Sequence, residues 1–277
     1  MDLNAIKSKL QNMQQKPKGK KIDYDKIFWK PPVGKSQIRV VPSKFDKANP
    51  FKELFFHYGI TNKVMISPTS FGEKDPIAEF ARQLRQSNDK ENWRLAKKLD
   101  PKMRVFLPVI VRGEEDKGIR LWQFGKSMYM EFLGMADDDD IGDFTDIVEG
   151  RDFTVDTVGP EVTGTQYNKS SLRPRTKITP LSEDSSQVEN WLEDQPDPST
   201  LFKRWSFEEM KDALEKWLTP EDDDEDPVYE EGSIIDEDKP QEEPKNNYAL
   251  NVAKKVSKTD KFDSLFNEGD DNDDLPF

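Results

Sequence analysis

Between Lys102 and Phe124 the chain reads KMRVFLPVIVRGEEDKGIRLWQF, with cations and rings recurring at alternate positions. In the first run Lys102, Arg104, Phe106, Pro108, Ile110 and Arg112 alternate with Met103, Val105, Leu107, Val109 and Val111. In the return run Arg120, Trp122 and Phe124 alternate with Ile119 and Leu121. Rings at this spacing can stack on planar groups while the interleaved cations pair with phosphates, which is the chemistry that holds a single-stranded nucleic acid. The competing reading is a sheet covered on both sides, with arginines at its edge. Catalysis has less to work with. The sequence has no Walker-type glycine loop, no HExxH and no G-x-S-x-G. Asp137–Asp140 reads as a hydrated loop, because consecutive side chains seldom converge on one ion. His57 is the one histidine, set among apolar neighbours (FFHYG), and reads as a packed strand residue. There is no cysteine, so disulfides and thiolate metal sites are excluded.

These groups need two strands and a turn to present them. Strand side chains alternate between faces, so the aliphatic set can pack a core while the other set is displayed. GEEDKG at 113–118 supplies the turn, and Pro108 points to an edge or a bulge. Further strands are expected at 36–41, 54–60, 63–66, 152–158 and 161–167. Asp75-Pro76 opens a helix with Ile77, Phe80, Ala81 and Leu84 on one face. A second helix over 88–99 carries Trp93, Arg94, Lys97 and Lys98, and a third covers 126–135. Ser206 and Glu209 form a capping box, with Trp205 and Met210 as a staple, ahead of the stripe Phe207, Met210, Leu214, Trp217 and Leu218. KSSLRPRTK at 169–177 reads as a second basic loop.

Charge divides the chain in three. Residues 1–130 hold 27 Lys and Arg against 14 Asp and Glu, a net of +13, whereas 131–218 hold 9 against 21 and 219–277 hold 6 against 20. The overall −13 therefore hides a basic first half. Residues 1–21 combine helically spaced Leu3, Ile6, Leu10 and Met13 with the basic breaker KPKGKK, which describes a flexible arm. A core is expected over 22–218. From 219 the sequence is acidic and poor in apolar residues, the composition of a disordered tail. Two apolar islets interrupt it, Phe262, Leu265 and Phe266, and the terminus Asp273-Asp274-Leu275-Pro276-Phe277. No run approaches the roughly 20 apolar residues of a membrane span, and MDLNAIKSKL reads without the apolar core of a signal peptide. A cytosolic, soluble protein is expected.

The hairpin, the basic first half, further aromatics near charge (Phe28, Trp29, Phe45, Trp93, Tyr129 and Tyr167) and an acidic tail able to compete for a basic groove point together to a sequence-tolerant single-strand binder. The candidate contacts are Arg39, Trp93, Lys97, Lys98, Lys102, Arg104, Phe106, Arg112, Arg120, Trp122, Phe124, Lys126 and Tyr167. An RNA-binding regulator and an acidic-tailed adaptor gripping a protein remain open alternatives. No catalytic residue is assigned.

Short matches then run through the chain in order. They are Ile38-Arg39-Val40-Val41-Pro42-Ser43-Lys44, Asn49-Pro50-Phe51, His57-Tyr58-Gly59, Gln123-Phe124-Gly125-Lys126, Gly150–Thr157, Gly164–Tyr167 and Phe207-Glu208-Glu209. In these the sequence resembles the single-stranded-DNA-binding protein family of T4-like phages, the gene 32 product. The resemblance implies an α+β fold. Its core is an OB-fold-like five-stranded barrel with a small helical subdomain, flanked by a flexible N-terminal arm and a disordered acidic C-terminal tail. It implies cooperative binding in phage replication, recombination and repair, in the cytoplasm of an infected bacterial host, with DNA-contacting positions near Arg104, Phe106 and Tyr167. The family arm mediates self-association through a Lys/Arg-Ser/Thr motif, matched in part by Lys7-Ser8-Lys9. The family tail recruits replication proteins. Its zinc site uses one His and three Cys. Here His57 takes the histidine position, but Ser67, Asp75 and Ala78 stand near the cysteine positions, so no zinc or other cofactor is expected. The Asp273–Phe277 tip is similar to the Asp-Asp-Ile-Pro-Phe tip of bacterial single-stranded-DNA-binding proteins, which docks its terminal phenylalanine into a partner.

Overall fold

The computed structural model describes residues 23–87 and 89–219, together with Phe262, Leu265 and Phe266. The expected arm contacts Lys7, Ser8 and Lys9 and the terminal Asp273–Phe277 lie outside the described residues. Among the described residues eight strands form one sheet: β1 (Phe28–Trp29), β2 (Gly34–Val40), β3 (Lys52–His57), β4 (Met65–Ile66), β5 (Lys102–Val111), β6 (Arg120–Phe124), β7 (Arg151–Val158) and β8 (Lys169–Ile178). The pairing path is β1-β6-β5-β2-β7-β8, and β3 and β4 branch from the first half of β5. Five helices exceed one turn among the described residues: α1 (Pro76–Gln86), α2 (Lys90–Leu99), α3 (Lys126–Ala136), α4 (Ser185–Glu193) and α5 (Phe207–Leu218).

Five strands contiguous in the path, β6, β5, β2, β7 and β8, surround one core. Val105, Leu107 and Val109 of β5 meet Ile38 and Val40 of β2, Phe153 and Val155 of β7, and Leu172 of β8. Phe132 of α3 packs against the same cluster. The aliphatic face of β5 is thus interior, as its alternation predicts.

The return strand departs from expectation. Eight residues separate β5 from β6, and the register they set pairs Val105 with Phe124, Leu107 with Trp122 and Val109 with Arg120. Directly paired residues share a face. Trp122 and Phe124 therefore join the aliphatic core and not the arginine face of β5. A one-residue difference in register exchanges every side chain between faces.

The other face of β5 is covered as well. Phe106 packs with Leu54, Phe56 and Ile66, and Ile110 packs with Val41, Leu181 and Trp191 of α4. The reading of a sheet covered on both sides is the one the structure adopts.

The helical subdomain gathers Ile77, Phe80 and Leu84 of α1, Ala96 and Leu99 of α2, and Met210, Leu214 and Leu218 of α5. The capping box of α5 forms as read, with Glu209 N donating to Ser206 Oγ at 3.1 Å and Ser206 N donating to Glu209 Oε2 at 2.9 Å. Such a cap contributes about 1 kcal/mol, less than the roughly 1.5–3 kcal/mol from each buried Met or Leu. Packing, more than the cap, holds this helix.

Two local expectations are corrected. Residues 161–167 are not a strand: Pro160–Thr163 is a single helical turn that Gly164, at φ 66°, terminates in the left-handed region. Residues 169–177, expected as a loop, lie in the edge strand β8. Pro174 fits there because an edge position needs no ladder donor on its open side.

Candidate nucleic-acid interface

Three of the rings assigned to the interface are core residues. Phe106 is fully buried and lies 5.6 Å from the Phe202 ring. Trp122 meets Trp29 edge-on at 5.3 Å, and Phe124 stacks on Phe132 at 5.4 Å. A ring with no open face cannot stack on a base, so the expectation that Phe106, Trp122 and Phe124 are displayed is corrected.

The arginines assigned together with these rings are likewise held by the protein. Arg104 is fully buried, lies over the Tyr58 ring at 5.5 Å and donates to Met103 O at 3.1 Å. Arg120 pairs with Glu114 at 2.5 Å. Arg39 and Arg112 converge on the buried Asp152, at 3.3 Å and 2.9 Å. Arg39 also donates to Asp146 O at 2.7 Å and Thr179 O at 2.8 Å, while Arg112 donates to Leu181 O at 2.9 Å. Gly150 admits the Arg39 guanidinium, since a Cβ there would overlap Arg39 Nη2 and Asp146 O. A buried guanidinium is tolerated only when paired and hydrogen-bonded. Arg39, Arg104 and Arg120 are structural, and Arg112, partly exposed, is tied mainly to Asp152. Burial pushes the Asp152 carboxyl up, but hydrogen bonds from Arg112 and Gln37 and the charges of Arg112 and Arg39 outweigh it and hold it below the usual carboxylate range.

Other assigned positions are open to solvent. Trp93 on α2 is 51% exposed, with Lys97 Nζ 5.8 Å over its ring and Lys98 exposed beside it. Asp89 starts this helix by accepting from Glu91 N at 2.9 Å. Lys126 is exposed at the start of α3, Lys102 is half-buried, and Tyr167 is half-buried in the loop before β8.

A row of cations expected in a loop lies on β8. Lys169, Arg173, Arg175 and Lys177 are all exposed, while Leu172, between them, points into the core. The register places Arg173 opposite Thr154 and Thr154 opposite Gln37, and places Lys35 opposite Asp156. Arg175 reaches across to Gln37 Oε1 at 3.0 Å, and Arg173 lies 3.4 Å from Asp156. The outer face of β2, β7 and β8 is therefore a hydrophilic surface with Lys35, Arg173 and Arg175 displayed together and Tyr167 in the loop that leads onto it. The period-two spacing of Lys169, Ser171, Arg173, Arg175 and Lys177 around one apolar Leu172 is the signal that could have identified it. A cleft of about 420 Å³ opens elsewhere, over Phe106, Pro108 and Leu121, but Asp46, Glu53 and Asp197 rim it with a single cation, Lys52. That rim repels phosphate.

The zinc positions implied by resemblance do meet in space, as a hydrogen-bonded knot. His57 Nε2 lies 2.8 Å from Asp75 Oδ2, Ser67 Oγ donates to the same carboxylate oxygen, and His57 Nδ1 lies 2.9 Å from Leu99 O. Asp75 Oδ1 accepts from Ile77 N at 2.9 Å and Ala78 N at 3.0 Å, capping α1. Burial would raise the Asp75 carboxyl, yet these hydrogen bonds and His57 hold it below its ordinary value. Structural zinc wants four N or S donors at tetrahedral positions. Here both imidazole nitrogens are engaged by the protein, Ala78 has no donor side chain, and no thiolate is present. The residues do not fit the metal.

A search of curated proteins gives no match. A family model described as gp32 DNA binding protein like matches residues 33–219, about two thirds of the chain, and this span contains every strand from β2 to β8 and all five helices. The cationic outer sheet and the exposed Trp93–Lys97 pair lie within a chain that belongs to the gp32-like family of single-stranded-DNA-binding proteins.

Proposed function

We propose that this protein coats single-stranded DNA cooperatively and without sequence preference during phage replication, recombination and repair, using the outer face of β2, β7 and β8 as its phosphate track. The observation that carries the proposal is the exposed row Lys169, Arg173, Arg175 and Lys177 on an edge strand of a DNA-binding family member. Trp93, with Lys97 and Lys98, supplies a ring for stacking, and Tyr167 a second at the head of the strand. The protein acts by binding and not by catalysis.

The five strands around the common core, with α3 inserted between β6 and β7, support an OB-type barrel. In this reading 22–218 is the DNA-binding core, 1–21 the self-association arm with Lys7, Ser8 and Lys9, and 219–277 the partner-binding tail ending in Asp273–Phe277. The His57–Asp75–Ser67 knot takes the place of zinc, and the site of action is the cytoplasm of the infected host.

The test is titration of tryptophan fluorescence with oligo-dT at several salt concentrations. Substituting Arg173→Gln, Arg175→Gln and Lys177→Gln together lowers the slope of log K against log salt by about 0.7 for each phosphate that is no longer neutralised, roughly two in total. A slope equal to that of the unaltered protein removes β8 from the interface. Preference for poly-rU or for duplex over oligo-dT overturns the substrate.

A further inference from the structure

The islet Phe262, Leu265 and Phe266, which the sequence leaves stranded in an acidic tail, is seated on the helical subdomain. Phe262 is 1% exposed and meets the Phe80 ring of α1 edge-on at 6.0 Å. Phe266 lies 4.9 Å from Phe262 and 6.0 Å from Phe207 of α5, and Leu265 packs on the same cluster. Lys211 of α5 clamps the segment from outside, with its Nζ 5.4 Å over the Phe266 ring and donating to Phe266 O at 3.4 Å.

We infer that the groove between α1 and α5 is a docking site for the chain's own segment Phe262–Phe266, bound in cis, and that this contact sets the reach of the C-terminal tip. The sequence between α5 and the islet has ample length to return, since 42 residues separate Thr219 from Phe262. The entropy of closing such a loop grows only logarithmically with length, whereas burial of two phenylalanines and a leucine is a fixed gain. The segment fits because its three apolar residues recur at i, i+3 and i+4, the spacing of one helical face. The stretch just after α5 is acidic and gains nothing from burial: residues 221–243 hold 13 Asp and Glu against one Lys.

The consequence is geometric. From Thr219 the 58 residues to Phe277 span up to about 200 Å when fully extended at 3.6 Å each, but from Phe266 the remaining 11 span at most about 40 Å. A docked tail therefore holds the tip beside the core, where its effective concentration at a partner already on the same DNA is higher. That last step rests on the partner-binding reading of Asp273–Phe277; the docking itself does not depend on DNA binding.

The chain has no cysteine, so spin labels can be placed at Glu215→Cys on α5 and Asn272→Cys without interference. In DNA-free full-length protein a confined distance distribution within about 40 Å is expected from six extended residues beyond Phe266 and the length of α5. Phe262→Asp with Phe266→Asp broadens and lengthens it. Both substitutions lie outside residues 33–219, and circular dichroism verifies that the helices remain. A broad distribution in the otherwise unaltered chain overturns the inference. So does an unchanged distribution in the double variant, or a short distance arising between separately labelled molecules after mixing, which would place the docking between copies. Failure of the oligo-dT titration would instead strike only the DNA-binding reading.

Discussion

Asp75 tests most directly whether a hydrogen-bonded knot can hold the helical subdomain. Its carboxylate is 2% exposed and accepts from His57, Ser67 Oγ, Ile77 N and Ala78 N. Asp75→Ala removes the cap of α1, a loss of about 0.5–2 kcal/mol. It also leaves His57 Nε2 and Ser67 Oγ buried without that partner, at about 1–3 kcal/mol for each orphaned group. Ser67 lies 2.7 Å from Thr69 Oγ1 and can turn to it, so its share falls at the low end. The expected loss is about 3–5 kcal/mol, a large part of the roughly 5–15 kcal/mol that holds a typical domain. Urea denaturation followed by tryptophan fluorescence and circular dichroism measures it, read from the midpoint at constant slope. Dialysis of the unaltered protein against a strong chelator leaves the midpoint where it was. A loss below about 1 kcal/mol refutes the account of the knot, and a chelator-sensitive midpoint shows that metal does the work assigned here to Asp75.

The two tryptophans separate interface from core. Trp93→Ala lowers oligo-dT affinity by about 1–3 kcal/mol, the usual value of a stacked ring, and leaves thermal unfolding unchanged; equal affinity would take α2 out of the interface. Trp122→Ala destabilises the fold by about 3–5 kcal/mol, and a fully stable variant would show that the core is mis-assigned. Asp152 carries an acid-dependent contribution. Its folded-state pKa is depressed by Arg112, Gln37 and Arg39 against burial, so the stabilisation is complete above the unfolded value of about 3.9 and is lost as pH falls through the folded one. Unfolding between pH 6 and pH 2 should therefore show a steeper acid loss in the unaltered protein than in Asp152→Asn. Parallel curves would exclude this pair.

Local sequence carried the elements well where short-range chemistry decides them. Asp75-Pro76 and Ser206–Glu209 start their helices because a cap needs only neighbours along the chain. The aliphatic alternation of 103–111 identified the interior face of β5, since period two admits few other uses. Charge partition and ordered short matches were enough to bring the family into view, and residues 33–219 carry it. The placement of the candidate contacts was harder to read. Whether Trp122 faces outward depends on the register across an eight-residue connection, which no residue within β6 encodes. Arg39 and Arg112 look like phosphate ligands until the fold brings Asp152, more than a hundred and about forty residues away respectively, between them. Composition also favoured the cation-rich hairpin over β8, whose Pro174 reads as a loop until the sheet leaves that strand at its edge. Side-chain type and spacing therefore determined which elements form and what ligand they suit. Only tertiary packing decided which cations meet the buried Asp152 and which, on β8 and α2, stay exposed to water.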